Sequence, residues 1–239
     1  MYNLRLTAQA NHDIPGTGAR PVAVTCVHKS GVVPDMTAKF VAALGLVAVL
    51  GWSGAADAAG DAEAGRAKSA TCMACHGADG NSANPEWPHI AGQHAGYVVK
   101  QLKHFKAADR NNPLMMPMAM ILSEQDMEDL AVYFAAQAPR PTGETEPSKL
   151  KLGERLYRAG NPQAGVPACS GCHGPAGAGV PGAAYPRVGG QHATYAALQL
   201  RAYKSGARAT DPNAMMRTVA ARLSEEEIDA VSSYLQGLR

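Results

Sequence analysis

Residues 72–76 read Cys-Met-Ala-Cys-His, and the pattern returns at residues 169–173 as Cys-Ser-Gly-Cys-His. Cys-x-x-Cys-His is the attachment motif of a c-type haem. Its two thiols can bond covalently to the haem vinyl groups, and the adjacent histidine can ligate the iron. The sequence therefore predicts two haem groups. The predicted attachment residues and first iron ligands are Cys72, Cys75, Cys169, Cys172, His76 and His173.

Two Cys-x-x-Cys segments can alternatively form one structural zinc site. The segments of such sites are usually about 15–20 residues apart, whereas here they are 97 positions apart. A histidine follows each segment, and each segment belongs to its own copy of a repeat. These features favour haem over zinc. The fifth cysteine, Cys26, has no partner pattern.

The composition is typical of a globular protein with a large cofactor. The chain has 239 residues, of which 46% are hydrophobic and 5% aromatic. This is enough for one or two domains. A core with so few rings is easier to build if a large apolar group fills part of it. No basic stripe with interleaved aromatics occurs, so a nucleic-acid partner is not expected.

An internal repeat relates the two motifs. Residues 87–94 match residues 185–192 at an offset of 98, and residues 122–124 match residues 223–225 at an offset of 101. Duplication of a domain of about 90 residues explains the match. The proline-rich residues 139–147 indicate an extended linker between the copies.

The N-terminal region has the pattern of a secretion signal. Lys39 precedes an apolar run over residues 40–50, and residues 56–58 read Ala-Asp-Ala, which fits the small-x-small cleavage rule. We expect cleavage before Ala59 and a periplasmic mature protein. An uncleaved anchor over residues 40–56 is the alternative, but that stretch is short and rich in Gly, Ala and Ser.

The expected domain organisation follows from the leader, the repeat and the linker. Residues 1–35 have no clear period, and we interpret them as a misassigned extension ahead of a true start at Met36. The expected segments are a leader over residues 1–58, a first domain over 59–138, a linker over 139–147 and a second domain over 148–239.

Local patterns predict an all-α fold with no convincing strand. Ser123 and Ser224 each begin a capping motif with an acidic residue three positions later. Apolar periodicity follows both serines and also marks residues 94–106, whose repeat partner is 192–204. Short helices are also expected before each motif, over residues 63–74 and 148–159.

The sixth iron position needs a second ligand, and methionine is a common one in cytochromes c. The candidates are Met115, Met116, Met118, Met120, Met215 and Met216. At the offset of 101, only Met115 and Met216 place sulfur at matching positions in both copies. We therefore predict these two as ligands and the other four as packing residues near the haems.

Histidine is the rival sixth ligand. His94 and His192 match across the repeat, but each stands at the expected start of a helix, where a surface or capping role is the simpler expectation. Bis-histidine ligation by this pair stays the alternative. His89 and His104 have no histidine counterpart, and we expect both at the surface.

A proline loop follows each motif. Pro88 lies 12 residues after His76, and Pro186 lies 13 residues after His173. A backbone carbonyl near each proline could accept a hydrogen bond from Nδ1–H of the haem histidine, which would fix the ring. The alternative is an ordinary loop proline.

Over residues 60–239 the chain resembles the dihaem cytochrome c4 family. The likeness covers both haem motifs, the Ala-Gly-Gln and Gly-Gly-Gln segments, the methionine stretches before Leu-Ser and the final helix. The resemblance implies two tandem class I cytochrome c domains, each a few helices around one covalently bound haem. It also implies iron ligation by His76 with Met115 and by His173 with Met216, and a periplasmic shuttle that feeds terminal oxidases.

The formal charge differs between the copies. Residues 59–144 carry 7 basic and 10 acidic residues, a charge of −3, and residues 145–239 carry 11 and 7, a charge of +4. Such a dipole could orient the molecule between an electron donor and an acceptor. Chance surface variation is an equally good explanation.

We expect a one-electron carrier, not an enzyme. The expected partners are donor and acceptor proteins such as membrane-bound respiratory complexes and a terminal oxidase, with at most peripheral membrane association. One alternative is the cytochrome subunit of a flavocytochrome c sulfide dehydrogenase. Another is a dihaem peroxidase, which needs an iron position that can open; the matched methionine pair argues against it.

Overall fold

The computed structural model describes residues 60–141 and 143–239. The predicted leader over residues 1–58, with Cys26, lies outside this range. Within it the chain is helical, and β-structure is limited to three isolated bridges. The all-α prediction is confirmed. Among the described residues no helix is long and apolar enough to cross a membrane.

The first half, residues 60–138, contains five of the described helices. They are α1 (Ala62–Lys68), α2 (Ala70–His76), α3 (Ala95–Lys106), α4 (Met115–Met120) and α5 (Glu124–Ala135). The helix expected over residues 63–74 is broken at Ser69, whose hydroxyl donates to the carbonyl of Arg66 at 2.8 Å. This bond ends α1 and lets α2 begin in a new direction.

The second half, residues 147–239, repeats this order. Its helices are α6 (Pro147–Ala159), α7 (Ser170–His173), α8 (Ala193–Ser205), α9 (Met215–Ala220) and α10 (Glu225–Gly237). Two short 3₁₀ helices, Pro181–Ala183 and Pro212–Ala214, interrupt the loops. The last helix of each half begins with a capping box, Ser123 with Asp126 and Ser224 with Glu227.

In each half, a glycine brings the first and last helices together. Gly65 on α1 lies against the backbone carbonyl of Asp129 on α5, and Gly153 on α6 lies against that of Ala230 on α10. A Cβ at either glycine would collide with that carbonyl. The close approach therefore requires glycine and fixes where the two helices cross.

The two halves meet around a pair of buried arginines. Arg110 and Arg208, 8% and 5% exposed, face each other through an isolated antiparallel bridge. Arg110 donates to Tyr195 Oη at 3.0 Å, and Arg208 donates to Tyr97 Oη at 2.9 Å. Each arginine thus binds a side chain of the opposite half.

Glutamine oxygens complete this interface. Gln101 Oε1 accepts from both Arg110 and Arg208, at 2.8 and 3.0 Å, and Gln199 Oε1 does the same at 2.7 and 2.9 Å. Each guanidinium also stacks on an aromatic ring of its own half, Phe105 for Arg110 and Tyr203 for Arg208. Amide oxygens and ring faces, rather than carboxylates, receive the two charges.

Candidate haem sites

Each motif histidine is buried at the end of a short helix. His76 ends α2 and His173 ends α7. Nδ1 of His76 lies 2.9 Å from the Pro88 carbonyl oxygen, and Nδ1 of His173 lies 2.9 Å from that of Pro186. As the sequence predicted, a proline carbonyl orients each ring. Nδ1–H donates to it, which leaves the lone pair of Nε2 available to a metal.

Burial keeps both histidines in the state that metal binding needs. Desolvation lowers the pKa of His76 and of His173, although the hydrogen bond to the proline carbonyl acts in the opposite direction. A neutral imidazole is the form that ligates iron. The lowered pKa keeps each ring neutral and the hydrogen bond fixes its orientation, and both properties suit a metal ligand.

The two cysteines of each motif differ in exposure. Cys72 and Cys169 are partly buried against the apolar cluster of their own half, whereas Cys75 and Cys172 are exposed. Burial raises the pKa of Cys72 and raises that of Cys169 to about 11. Each motif thus presents one thiol at the core edge and one at the surface, available for covalent attachment.

The methionine candidates lie on matching short helices. Met115 is the first residue of α4, and Met216 is the second residue of α9; both are partly buried. Asn112 Oδ1 accepts from the backbone N–H of Met115 at 2.9 Å and so holds the start of α4. In the second half, Asp211 accepts from the backbone N–H of Arg217 at 3.0 Å.

The other methionines differ in exposure. Met118, Met120 and Met215 are 43%, 59% and 38% exposed on the polypeptide, and their packing near the haems stays a prediction. Met116 is partly buried, like Met115. The polypeptide alone therefore does not separate Met115 from Met116 by burial.

The expectations for His89 and His192 are wrong. His89 is buried and stacks on His192, with ring centroids 3.9 Å apart, and burial together with His192 lowers the pKa of His89 to about 4. His192 is also buried, and its Nε2 lies 2.9 Å from the Ser82 carbonyl oxygen of the other half. His192 is thus an interface residue rather than a surface or capping one. His104 is partly exposed and lies 3.3 Å from Asp109.

The second half has an open apolar cleft near its motif. The cleft has a volume of about 520 Å³ and lies between the segment that precedes Cys169 and helix α9, and the motif residues themselves do not line it. Val166, Pro167 and Val219 contribute apolar lining, and Arg222 supplies a charge. The buried motif histidine and the two motif cysteines together fit a covalently held haem.

Sequence reasoning missed the residues that join the two sites. Gln93 and Gln191 match across the repeat, as do Arg110 and Arg208, all at the offset of 98. Gln93 binds the backbone of Arg187, and Gln191 binds the backbone of His89. Their recurrence was the available signal, but it did not reveal that each binds the opposite copy.

Comparison with known proteins identifies the class first. The family model described as cytochrome c matches residues 62–137 and 150–239, one match for each half. The fold and the paired sites therefore define a c-type cytochrome with two haem domains.

Individual relatives narrow the family. Cytochrome c4 of Thiocapsa roseopersicina is 54% identical over 190 residues, which cover 79% of this chain and 98% of the relative. The crystal structure of reduced recombinant cytochrome c4 from Pseudomonas stutzeri has a TM-score of 0.73 and 46% identity, covering 76% of this chain and 100% of that chain. A thiosulfate dehydrogenase electron acceptor of Stutzerimonas stutzeri (strain A1501) is 40% identical over 168 residues, 68% of this chain and 76% of the relative.

The chain belongs to the dihaem cytochrome c4 family. It carries two covalently bound haem c groups and acts as an electron carrier rather than an enzyme.

Proposed function

We propose that this protein is a periplasmic shuttle that carries single electrons from respiratory-chain donors to a terminal oxidase or another reductase. In this proposal Cys72 and Cys75 hold the first haem, and Cys169 and Cys172 hold the second. The observation that carries it is the recurrence of one arrangement in both halves. In each half a buried motif histidine binds a proline carbonyl through Nδ1, at 2.9 Å.

The proposed axial ligands are His76 with Met115 and His173 with Met216. Each haem iron supplies reversible one-electron exchange between the ferrous and ferric states. The Pro88 and Pro186 carbonyls hold the histidine rings in one orientation, so little has to move when an electron arrives or leaves. Two protein ligands on each iron would leave no position for peroxide, which disfavours the peroxidase alternative.

The uneven charge supports a directional role. The first copy has a formal charge of −3 and the second +4. A molecule with this dipole turns in the field of a charged partner, so donor and acceptor can meet different halves. We propose that the acidic half faces a basic partner surface and the basic half an acidic one.

Thiosulfate oxidation provides a second candidate for the donor. Relatives named thiosulfate dehydrogenase electron acceptor are 40% and 39% identical to this chain, over 68% and 70% of its length. In this version the electrons come from a thiosulfate dehydrogenase rather than from a membrane complex. The haem ligands and the shuttle mechanism are unchanged.

Ligand substitution tests the proposed axial set. In Met115→Ala and in Met216→Ala we expect loss of about half of the sulfur-to-iron absorption band, with two haems per chain retained in the pyridine haemochrome assay. Met116→Ala and Met215→Ala are the matched controls, because each removes the neighbouring sulfur on the same helix. Loss of the band in Met116→Ala but not in Met115→Ala would contradict the assignment in the first half.

Fractionation and kinetics test the location and the partners. Expressed with its own leader, the protein should be released by osmotic shock with a mature N-terminus at Ala59. The reduced protein should then be oxidised by membranes that contain terminal oxidase. Fast reduction by a thiosulfate dehydrogenase with thiosulfate, but not by respiratory membranes, would favour the second donor.

A further inference from the structure

One peptide group in each half binds a haem histidine on one side and the opposite half on the other. We call the group made of the Pro88 carbonyl and the His89 N–H the first bridging peptide. Its carbonyl accepts from His76 Nδ1 at 2.9 Å, and its N–H donates to Gln191 Oε1 at 2.9 Å. Gln191 belongs to the second half.

The second bridging peptide, made of the Pro186 carbonyl and the Arg187 N–H, has the same connections with the halves exchanged. Its carbonyl accepts from His173 Nδ1 at 2.9 Å, and its N–H donates to Gln93 Oε1 at 2.9 Å. Gln93 belongs to the first half. One peptide group therefore separates each predicted histidine ligand, His76 or His173, from a glutamine of the other copy.

The glutamine side chains are held in a single orientation. Gln93 Nε2 donates to the Arg187 carbonyl at 3.0 Å, and Gln191 Nε2 donates to the His89 carbonyl at 2.9 Å. Each Oε1 also accepts from the next backbone N–H of its own chain segment, that of His94 or His192, at 3.1 Å. Two donors face Oε1 and one acceptor faces Nε2, so only this orientation satisfies the network. Gln93 is only 8% exposed.

A peptide group transmits polarisation because its C–N bond is conjugated. A hydrogen-bond acceptor at the N–H polarises the peptide group and makes its carbonyl oxygen more negative. A more negative carbonyl binds the histidine Nδ1–H more strongly and makes the ring a stronger electron donor to iron. Stronger donation favours the ferric state and lowers the reduction potential.

We propose that Gln191 and Gln93 are positioning residues that set the reduction potential of the haem in the opposite half. Gln191 acts on the first haem through the first bridging peptide, and Gln93 acts on the second haem through the second. The inference rests on the proposed ligation by His76 and His173. It makes the two potentials depend on how the halves are docked.

Paired substitutions test the crossed pattern. Gln191→Leu removes the acceptor, so the potential of the first haem should rise while that of the second changes less. Gln191→Glu keeps an acceptor and makes it anionic, so the same potential should fall. Gln93→Leu and Gln93→Glu should repeat both results with the haems exchanged. Each potential is assigned to its half by an NMR redox titration that follows the two axial methionine methyl groups.

A second readout does not depend on potentials. In the reduced protein, the Nδ1–H proton resonance of His76 should move upfield in Gln191→Leu, while that of His173 stays in place. Gln199→Leu is the control, since Gln199 also lies in the interface and recurs across the repeat but binds Arg110 and Arg208 instead of a bridging peptide. Its effect on the two haems should be equal.

The outcomes separate this inference from the proposed function. Equal shifts of both haems in Gln191→Leu, a shift confined to the second haem, or no shift would overturn the inference, provided that two haems with histidine and methionine ligands are present. Loss of those ligand signals in the unsubstituted protein would instead overturn the proposed function.

Discussion

The two halves share their haem-side geometry but differ in how their cores are built. The second half contains an extended cluster of buried apolar residues. Its members are Leu156, Tyr157, Val166, Ala196, Ala197, Leu223, Ile228, Val231, Tyr234, Leu235 and Leu238. The corresponding cluster of the first half consists of Leu130, Tyr133 and Phe134, and its other buried apolar residues lie outside that cluster: Ala91, Val99, Phe105, Ala119, Met127 and Ala131. The motif, its proline carbonyl and the interface are retained in both, so the site tolerates two different supports.

The first half replaces part of the apolar contact with an ionic cluster. Lys68 on α1 lies 2.6 Å from carboxylate oxygens of both Asp126 and Asp129 on α5. Asp129 is 2% exposed and also accepts from the backbone N–H of Asp61 at 2.8 Å. At the offset of 101 the position of Asp129 corresponds to Ala230, which is buried in the second half. The same helix pair is therefore joined by charge in one copy and by packing in the other.

Truncation of a core leucine should give the largest difference in stability between the two halves. Leu156→Ala should destabilise the second half by about 2–5 kcal/mol, because the surrounding apolar cluster leaves a cavity. Leu130→Ala should cost less, since fewer apolar neighbours lose contact. Native-state hydrogen exchange of α10 and α5 amides measures each half separately. Leu198→Ala, at an exposed leucine of α8, is the control and should change little. Equal losses of stability in Leu156→Ala and Leu130→Ala would contradict the proposed difference between the two cores.

Removal of the buried carboxylate should destabilise the first half alone. Asp129→Ala should cost about 1–3 kcal/mol, because the backbone N–H of Asp61 loses its acceptor. Asp229→Ala is the control, because Asp229 occupies α10 and pairs with Arg201 in a half-exposed position. A comparable loss in this control would show that the ionic cluster has no special role.

The same carboxylate makes the first half sensitive to acid. Hydrogen bonds from Lys68, the Asp61 backbone and Gln125 hold the pKa of Asp129 below its ordinary value. A lowered folded-state pKa contributes stability above the unfolded pKa of about 4 and loses it as the pH falls through the folded pKa. The stability of α5 should therefore fall as the pH is lowered from 7 to 2. The difference in stability between wild type and Asp129→Asn should shrink below about pH 4.

Loss of a helix cap should give the smallest difference. Ser123→Ala and Ser224→Ala should each cost about 1 kcal/mol, because one N-terminal N–H loses its acceptor. The acidic residue of each box has a second partner. Glu227 accepts from the side chain of Asn161 at 2.7 Å, whereas Asp126 pairs with Lys68. Ser224→Ala should therefore also raise exchange in the loop around Asn161. Ser205→Ala, at the exposed end of α8, is the control; an equal effect there would contradict a capping origin.

What the sequence predicted correctly is mostly local. The capping motifs at Ser123 and Ser224 depend on residues three positions away, and the two long helices of residues 94–106 and 192–204 depend on short-range periodicity. The proline carbonyls were found because they lie 12 and 13 residues from their histidines.

Contacts between the copies escaped prediction because their partners are far apart in sequence. His89 is buried against His192, which lies 103 positions away, so no local sequence pattern predicts its burial. Helices α4 and α9 have only six residues each, too short for a periodic signal, and the first contains Pro117, which favours no helix from sequence. The methionine assignment rests on the repeat, since burial does not separate Met115 from Met116.

The arginine pair gives the duplication a consequence for a chain cut between its copies. Arg110 and Arg208 each direct one guanidinium nitrogen to the opposite copy, where it meets a tyrosine hydroxyl and a glutamine oxygen. If the chain is cut in the segment between the halves, the copies can separate only by exchanging these partners for water at both guanidinium groups. The two domains should therefore tend to stay associated after the cut.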